Sequence, residues 1–79
     1  MVIQVLFFGA TADAVGVRSK LLEVGAGATT AQIVDQIASE YDAIRRHKLV
    51  FSVNQEYVSE DVLLKDGDEI GIFTAVSGG

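Results

Sequence analysis

The 79-residue chain contains no cysteine, no proline and no tryptophan, and a single histidine. Without cysteine there can be no disulfide, thiolate-bound metal, iron–sulfur cluster or side-chain thiol nucleophile. Any sulfur chemistry must therefore use a group other than a thiol side chain. The lone His47 supplies no metal-ligand set. Positive charge is scarce as well, with 6 Lys and Arg against 11 Asp and Glu, a net charge of −5. The excess is local. Residues 1–48 carry five acids and five bases, whereas residues 49–79 carry Glu56, Glu60, Asp61, Asp66, Asp68 and Glu69 against Lys65 alone. Such a C-terminal third repels nucleic acid and anionic lipid and favours a basic partner surface. The run Arg45-Arg46-His47-Lys48 has no interleaved aromatic platform, so it reads as a solvated loop and not as a nucleic-acid site.

What is present is apolar: 49% of residues are hydrophobic, ample for a core and incompatible with a disordered polar chain. A chain this short buries only roughly 60–65% of its unfolded surface, so it forms one core. The N-terminal Met1-Val2-Ile3-Gln4-Val5 has no basic leader region and passes directly into a strand pattern. The reading is a cytoplasmic protein with no signal peptide and no membrane span.

Val2–Phe8 is β-branched and aromatic and predicts a strand with Ile3, Val5 and Phe7 inward and Gln4, Leu6 and Phe8 outward. Gly9–Gly16 is small and turn-prone, and Ser19–Val24 reads as a second strand of a hairpin. Thr29–Tyr41 is the one clear helix, with Val34, Ile37, Ala38 and Tyr41 at i, i+3, i+4 and i+7. Thr29 and Gln32 have capping-box spacing, and Thr30 is an equally good cap. After a charged connection at 42–48 come a strand at Leu49–Val53, a turn at Asn54-Gln55-Glu56, a short strand at Tyr57-Val58, a turn at Asp66-Gly67-Asp68 and a last strand at Glu69–Phe73. This order predicts an α+β chain of β-grasp type: a mixed sheet over one main helix, residues 1–73, followed by a flexible, extended tail, 74–79. In the last strand Ile70 and Ile72 face the core. If the first and last strands pair, Phe73 joins Leu6 and Phe8, with Tyr57 nearby, in an apolar patch on the face away from the helix, suited to cover by a partner.

The chain closes on Ser77-Gly78-Gly79. Two residues without Cβ let a terminal carboxylate enter a channel too narrow for any side chain. A free α-carboxylate, with a pKa of about 3.3–3.7, is a poor electrophile until activated, so a partner enzyme is implied. Six residues from Thr74 to Gly79, at about 3.3–3.6 Å each, reach roughly 20 Å.

Gln4-Val5-Leu6-Phe7-Phe8, Val53-Asn54-Gln55, Leu64-Lys65-Asp66-Gly67-Asp68-Glu69-Ile70 and the stretch Phe73-Thr74-Ala75-Val76-Ser77-Gly78-Gly79 together resemble, in order and spacing, the small subunit of molybdopterin synthase, a ubiquitin-like sulfur carrier. The resemblance implies that Gly79, with Gly78 before it, is the reactive terminus. Its carboxylate is adenylated by an E1-like enzyme with ATP and converted to a thiocarboxylate. The thiocarboxylate then donates sulfur to cyclic pyranopterin monophosphate. It also implies docking through Leu6, Phe8, Tyr57, Phe73, Val76 and Ser77 onto a large subunit, in a heterotetramer. The catalytic groups lie on that partner, and no cofactor or metal is bound by this chain. Thr74-Ala75 stands where the family has a proline pair, which leaves φ there less restricted. Ala12-Asp13 stands where an Arg-Glu pair is common, so no role is carried to those positions. Carriers for thiamine, cysteine or tRNA thiolation, and ubiquitin-like modifiers, share such a terminus.

Overall fold

A computed structural model describes residues 1–74 of the chain. Strand β1 (Val2–Phe7) leads into α1 (Ala10–Val15) and β2 (Ser19–Glu23). Helix α2 (Thr30–Glu40) and a 3₁₀ turn (Asp42–Arg46) follow, then β3 (Leu49–Val53), β4 (Glu56–Val58) and β5 (Glu69–Thr74). The five strands form one sheet in the order β2-β1-β5-β3-β4, with β1 and β5 parallel and the other neighbours antiparallel. This is the β-grasp fold. Among the described residues no helix is long and apolar enough to cross a membrane.

The alternation predicted for the two central strands is the one observed. Ile3, Val5, Ile70 and Ile72 are fully buried and Phe7 nearly so. Opposite them lie Ile33 and Ile37 of α2, also buried. The buried stripe of α2 is thus centred on Ile33 and Ile37, one position round from the expected one, and Val34 and Tyr41 are half-buried at its margin. The N-terminus of α2 has the full capping box. Gln32 N–H donates to Thr29 Oγ1 at 3.5 Å and Thr29 N–H to Gln32 Oε1 at 2.9 Å. Thr30, the alternative cap, instead donates its hydroxyl to Asp61 at 2.8 Å.

Two expectations are corrected. The run 9–16 is not a plain turn, because Ala10–Val15 forms α1, framed by Gly9 (φ 58°) and the left-handed Gly16 (φ 86°). One turn and a half of helix is too short to show periodicity in sequence, and tertiary contact holds it. The buried Thr11 hydroxyl accepts from Phe8 N–H at 3.0 Å and lies 2.8 Å from the carbonyls of both Phe8 and Ile72, its one proton shared between them. The connection at 42–48 is likewise partly ordered, since the 3₁₀ turn buries Ile44 in the core. A single apolar residue among charges carries no periodic signal.

The acid-rich third is stitched into the fold by its own carboxylates. Asp61 accepts from Thr30 Oγ1 and, at 2.9 Å, from Ala31 N–H. Asp66 accepts from Val2 N–H at 2.7 Å. Asp68 accepts from Lys65 N–H at 2.7 Å and from the Asn54 amide at 3.0 Å. Asn54 (φ 50°) and Gln55 (φ 72°) are both left-handed, as a two-residue hairpin turn between β3 and β4 requires. Asn54 Oδ1 also accepts from Glu69 N–H at 3.0 Å.

These bonds hold two carboxyls below their ordinary range: Asp61 through the Ala31 N–H and then the Thr30 hydroxyl, Asp68 through the Asn54 amide and then the Lys65 N–H. An unfolded aspartate titrates near 3.9. A folded value below that contributes stability in full above about pH 4, and the contribution is lost as pH falls through the folded values. The urea midpoint is therefore expected to decline steeply below about pH 4. Asp61→Asn, which keeps an acceptor oxygen but cannot titrate, should flatten that decline. Equal slopes for the two proteins would refute the assignment.

Candidate functional site

The face of the sheet turned away from α2 is made by the other set of alternating residues. Register aligns Leu6 with Gly71, Gly71 with Ser52 and Ser52 with Tyr57, one row across four strands. The next row brings Phe73 beside Val50. The aromatic rings close on one another there. Phe8 and Phe73 stack with centroids 4.5 Å apart and planes within 5°. Tyr57 leans on Phe73 at 5.6 Å and 51°. Tyr57 is 72% and Phe8 41% exposed, so the cluster is an open platform and not a second core.

Gly71 makes this geometry possible. A Cβ there would collide with Ser52 Oγ and stand 3.0 and 3.3 Å from Cε1 and Cζ of the Phe73 ring. The missing side chain is the space across which Phe73 lies.

Of the residues selected from sequence, Phe8, Tyr57 and Phe73 are brought together. Leu6 lies on the same face, half-buried, and with Phe8, Ala12, Asp13, Arg18 and Ser19 lines a cleft of about 640 Å³ beside the platform. Val76, Ser77, Gly78 and Gly79 lie outside the described residues. The face is also wider than the four residues selected. Leu21, 69% exposed, pairs with Gln4, and Val2, 44% exposed, pairs with Glu23, which puts both on the outer side. Adjacent Leu21 and Leu22 carry no parity signal by themselves. Only the register, Leu22 opposite Ile3 and Leu21 opposite Gln4, sorts them. A second cleft, of about 290 Å³, is on the helix side, floored by Val34, Phe51 and Val58 and not continuous with the platform.

β5 reaches Thr74, paired with Leu49, immediately beyond Phe73. The platform is therefore at the root of the segment 75–79. Among the described residues no three His, Cys, Asp or Glu side chains are grouped to hold a metal ion. An open apolar aromatic surface of this kind is suited to docking a protein.

Comparison with known proteins gives a consistent picture. The model of the ThiS family matches residues 5–79. The molybdopterin synthase sulfur carrier subunit of Chlamydomonas reinhardtii is 39% identical over the whole of both chains. That of Escherichia coli is 39% identical over 98% of this chain and 99% of its own. Among solved structures, a putative molybdopterin converting factor subunit 1 from Pyrococcus furiosus superposes with a TM-score of 0.87 at 26% identity, over 96% of this chain and 99% of that one. The Helicobacter pylori complex of subunits 1 and 2 of molybdopterin-converting factor contains a chain that matches with a TM-score of 0.69 at 21% identity, over the full length of both.

Proposed function

Because the chain belongs to the ThiS family, we propose that it is the sulfur-carrier subunit of a molybdopterin synthase, working in the cytoplasm as the terminus-bearing member of a heterotetramer. In this reading an E1-like partner joins the Gly79 carboxylate to the α-phosphate of ATP, releasing pyrophosphate. A sulfur nucleophile displaces AMP and leaves a thiocarboxylate. With the large subunit, that sulfur is passed to cyclic pyranopterin monophosphate on the way to molybdopterin. A sulfur anion is a softer and stronger nucleophile than the carboxylate oxygen it replaces.

The observation that carries this reading is the position of the stacked Phe8–Phe73–Tyr57 platform at the base of a segment whose last residues are Gly78-Gly79. Five residues beyond Thr74 reach at most about 18 Å when extended. Burying the platform on a partner aims that reach in one direction and removes orientational freedom before the chemistry begins. The folded body delivers; the terminus reacts.

The test is the intact mass of the chain after incubation with ATP, a sulfur donor and an E1-like enzyme. Oxygen replaced by sulfur adds about 16 Da, the difference between the two atomic masses. That product, followed by loss of the added mass when large subunit and precursor are supplied, is the expected result. Loss of the added mass to a thiamine, cysteine or tRNA precursor instead would move the chain to another carrier pathway. Isopeptide-linked adducts on lysines with no such mass gain would make it a protein modifier.

A further inference from the structure

Helix α2, 11 residues long, packs Ile33 and Ile37 against the central strands and leaves part of the β3–β4 edge open. The opening is the helix-side cleft of about 290 Å³. Ala31, Val34 and Asp35 of α2 stand on one side of it, and Phe51 of β3, Val58 of β4 and Glu60 on the other. Register sets Val58 beside Phe51 and Phe51 beside the buried Ile72, so both side chains turn to the helix side of the sheet. Yet Val34, Phe51 and Val58 are only half-buried, and Val34 and Val58 stay outside the core cluster. The cleft is an unfilled margin of the core with an apolar floor.

Both walls come from stretches without positive charge. Residues 29–44 contain Asp35, Glu40 and Asp42 and no Lys, Arg or His, and residues 49–64 contain Glu56, Glu60 and Asp61 and again no base. Lys20 and Arg45 are paired with Glu40 and Asp42, at and beyond the C-terminal end of α2, whereas the cleft lies along its first half. The positive N-terminal end of α2 is already satisfied by Thr29, Gln32 and Asp61, which leaves it no call on an outside anion. Asp35 and Glu60, by contrast, are exposed on the cleft and form no ion pair among the described residues. Size and lining then select the occupant. Sites for drug-sized molecules begin at about 300 Å³, so this cleft suits a side chain better than a whole ligand. An apolar floor under an anionic rim matches Arg or Lys, an alkyl stem beneath a charged head. Exposed ion pairs contribute little by themselves; the floor supplies the hold, and the carboxylates exclude the wrong sign. The chain's own terminal carboxylate, nucleic acid and anionic lipid all carry that wrong sign, and a second copy, of net charge −5, is repelled as a whole.

We propose that the helix-side cleft is a second docking site, which takes an arginine or lysine side chain and an apolar neighbour from an extended segment of a partner protein. The cleft opens on the face opposite the Phe8–Phe73–Tyr57 platform, so it can be filled while the platform is covered. The site goes beyond the carrier reading and needs none of its chemistry; only simultaneous occupancy rests on docking through the platform. The basic partner surface that the acid-rich C-terminal third favours thereby acquires a definite place of contact, at Glu60 and across from it at Asp35.

The experiment is an NMR titration of the full-length, isotope-labelled chain with a capped pentapeptide of alternating leucine and arginine. Saturable shifts are expected at the amides of Ala31, Val34, Phe51 and Val58. Asp35→Lys/Glu60→Lys, two exposed reversals, should weaken binding about 10-fold or more. Ala31→Leu, which fills the cleft without changing charge, should do the same. Phe73→Asp, on the opposite face, should leave the affinity within about 2-fold, as distant sites do. Shifts confined to the platform, or equal affinities for wild type and the charge-reversed variant, would overturn the proposal. Equally tight binding of spermidine would show that charge alone is read, and of a leucine–glutamate peptide that charge is not read at all; either sinks it. Self-association of the free chain that the charge reversal abolishes would make a second copy the occupant instead. Repeating the titration with the large subunit bound tests simultaneous occupancy: an unchanged affinity supports it, and competition refutes it. Failure of the carrier reading is seen separately, as a chain that binds the peptide in the cleft yet gains no 16 Da at Gly79.

Discussion

Deletion of Gly79 is expected to abolish sulfur transfer completely while leaving affinity for the large subunit within a few-fold, and Phe73→Asp is expected to weaken docking while leaving the thiocarboxylate itself able to form. The two changes act on different stages. In the proposed mechanism Gly79 supplies the reacting carbon and has no side chain to dock with, so its loss should remove the chemistry and not the docking. Phe73 stacks on Phe8 and supports Tyr57 at the centre of the platform. Aromatic residues so placed carry a disproportionate share of interface energy, about 2 kcal/mol or more each, or some 30-fold in affinity. A carboxylate in its place must also be desolvated on binding. Phe73→Asp prepared with the thiocarboxylate already in place should retain its added mass and transfer it at least 10-fold more slowly than the wild-type chain at concentrations near the wild-type Kd. Calorimetric titration with the large subunit, and intact mass before and after precursor is added, read the two stages independently. Loss of both docking and transfer in the Gly79 deletion would mean that the terminus is itself the anchor.

Gly71→Val is expected to lower stability by about 1–3 kcal/mol, the usual cost of forcing extra carbons into a packed site. For a domain of this size each kcal/mol corresponds to roughly 4–8 °C in Tm. The backbone at Gly71 is ordinary extended strand, so the cost comes from neighbours and not from φ. A Cβ meets Ser52 Oγ, which can rotate away, but also the Phe73 ring at 3.0–3.3 Å, which must give by a few tenths of an ångström for the Cβ and further for the two methyls of valine. Gly71→Ala should therefore cost less, and Ser52→Ala in that background should recover part of the loss because one of the two obstacles is gone. Chemical denaturation gives the stabilities, and the ring-current shifts of the Phe8 and Tyr57 protons report the displaced ring. A Gly71→Val protein as stable as wild type, with those shifts unchanged, would show that Phe73 does not depend on the empty space.

The core and the outer platform were readable wherever one residue pattern served one sheet face. In β1 the polar Gln4 sets parity, so Ile3, Val5 and Phe7 are assigned inward and Leu6 and Phe8 outward without knowledge of any partner strand. Ile70 and Ile72, flanking a glycine, do the same for β5. Legibility failed where local pattern is ambiguous and distant contact decides. Leu21-Leu22 needs the β1 register to be sorted, Ile44 needs the core beneath it, and α1 needs the hydroxyl of Thr11 reaching a carbonyl 61 residues away. The chemistry ascribed to Gly79, by contrast, was drawn from residue type and place in the chain, which need no folded context.

The middle strand of the sheet is the last of the five in chain order. Until β5 is synthesised, β1 and β3 have no route to each other, and each exposes an unsatisfied edge on the side where the other will eventually stand. Joining them closes contacts across nearly the whole polypeptide, a slow, late event in folding. A nascent chain released early can thus neither complete its sheet nor assemble the Phe8–Phe73 stack, and truncated translation products are excluded from competing for the partner by topology alone.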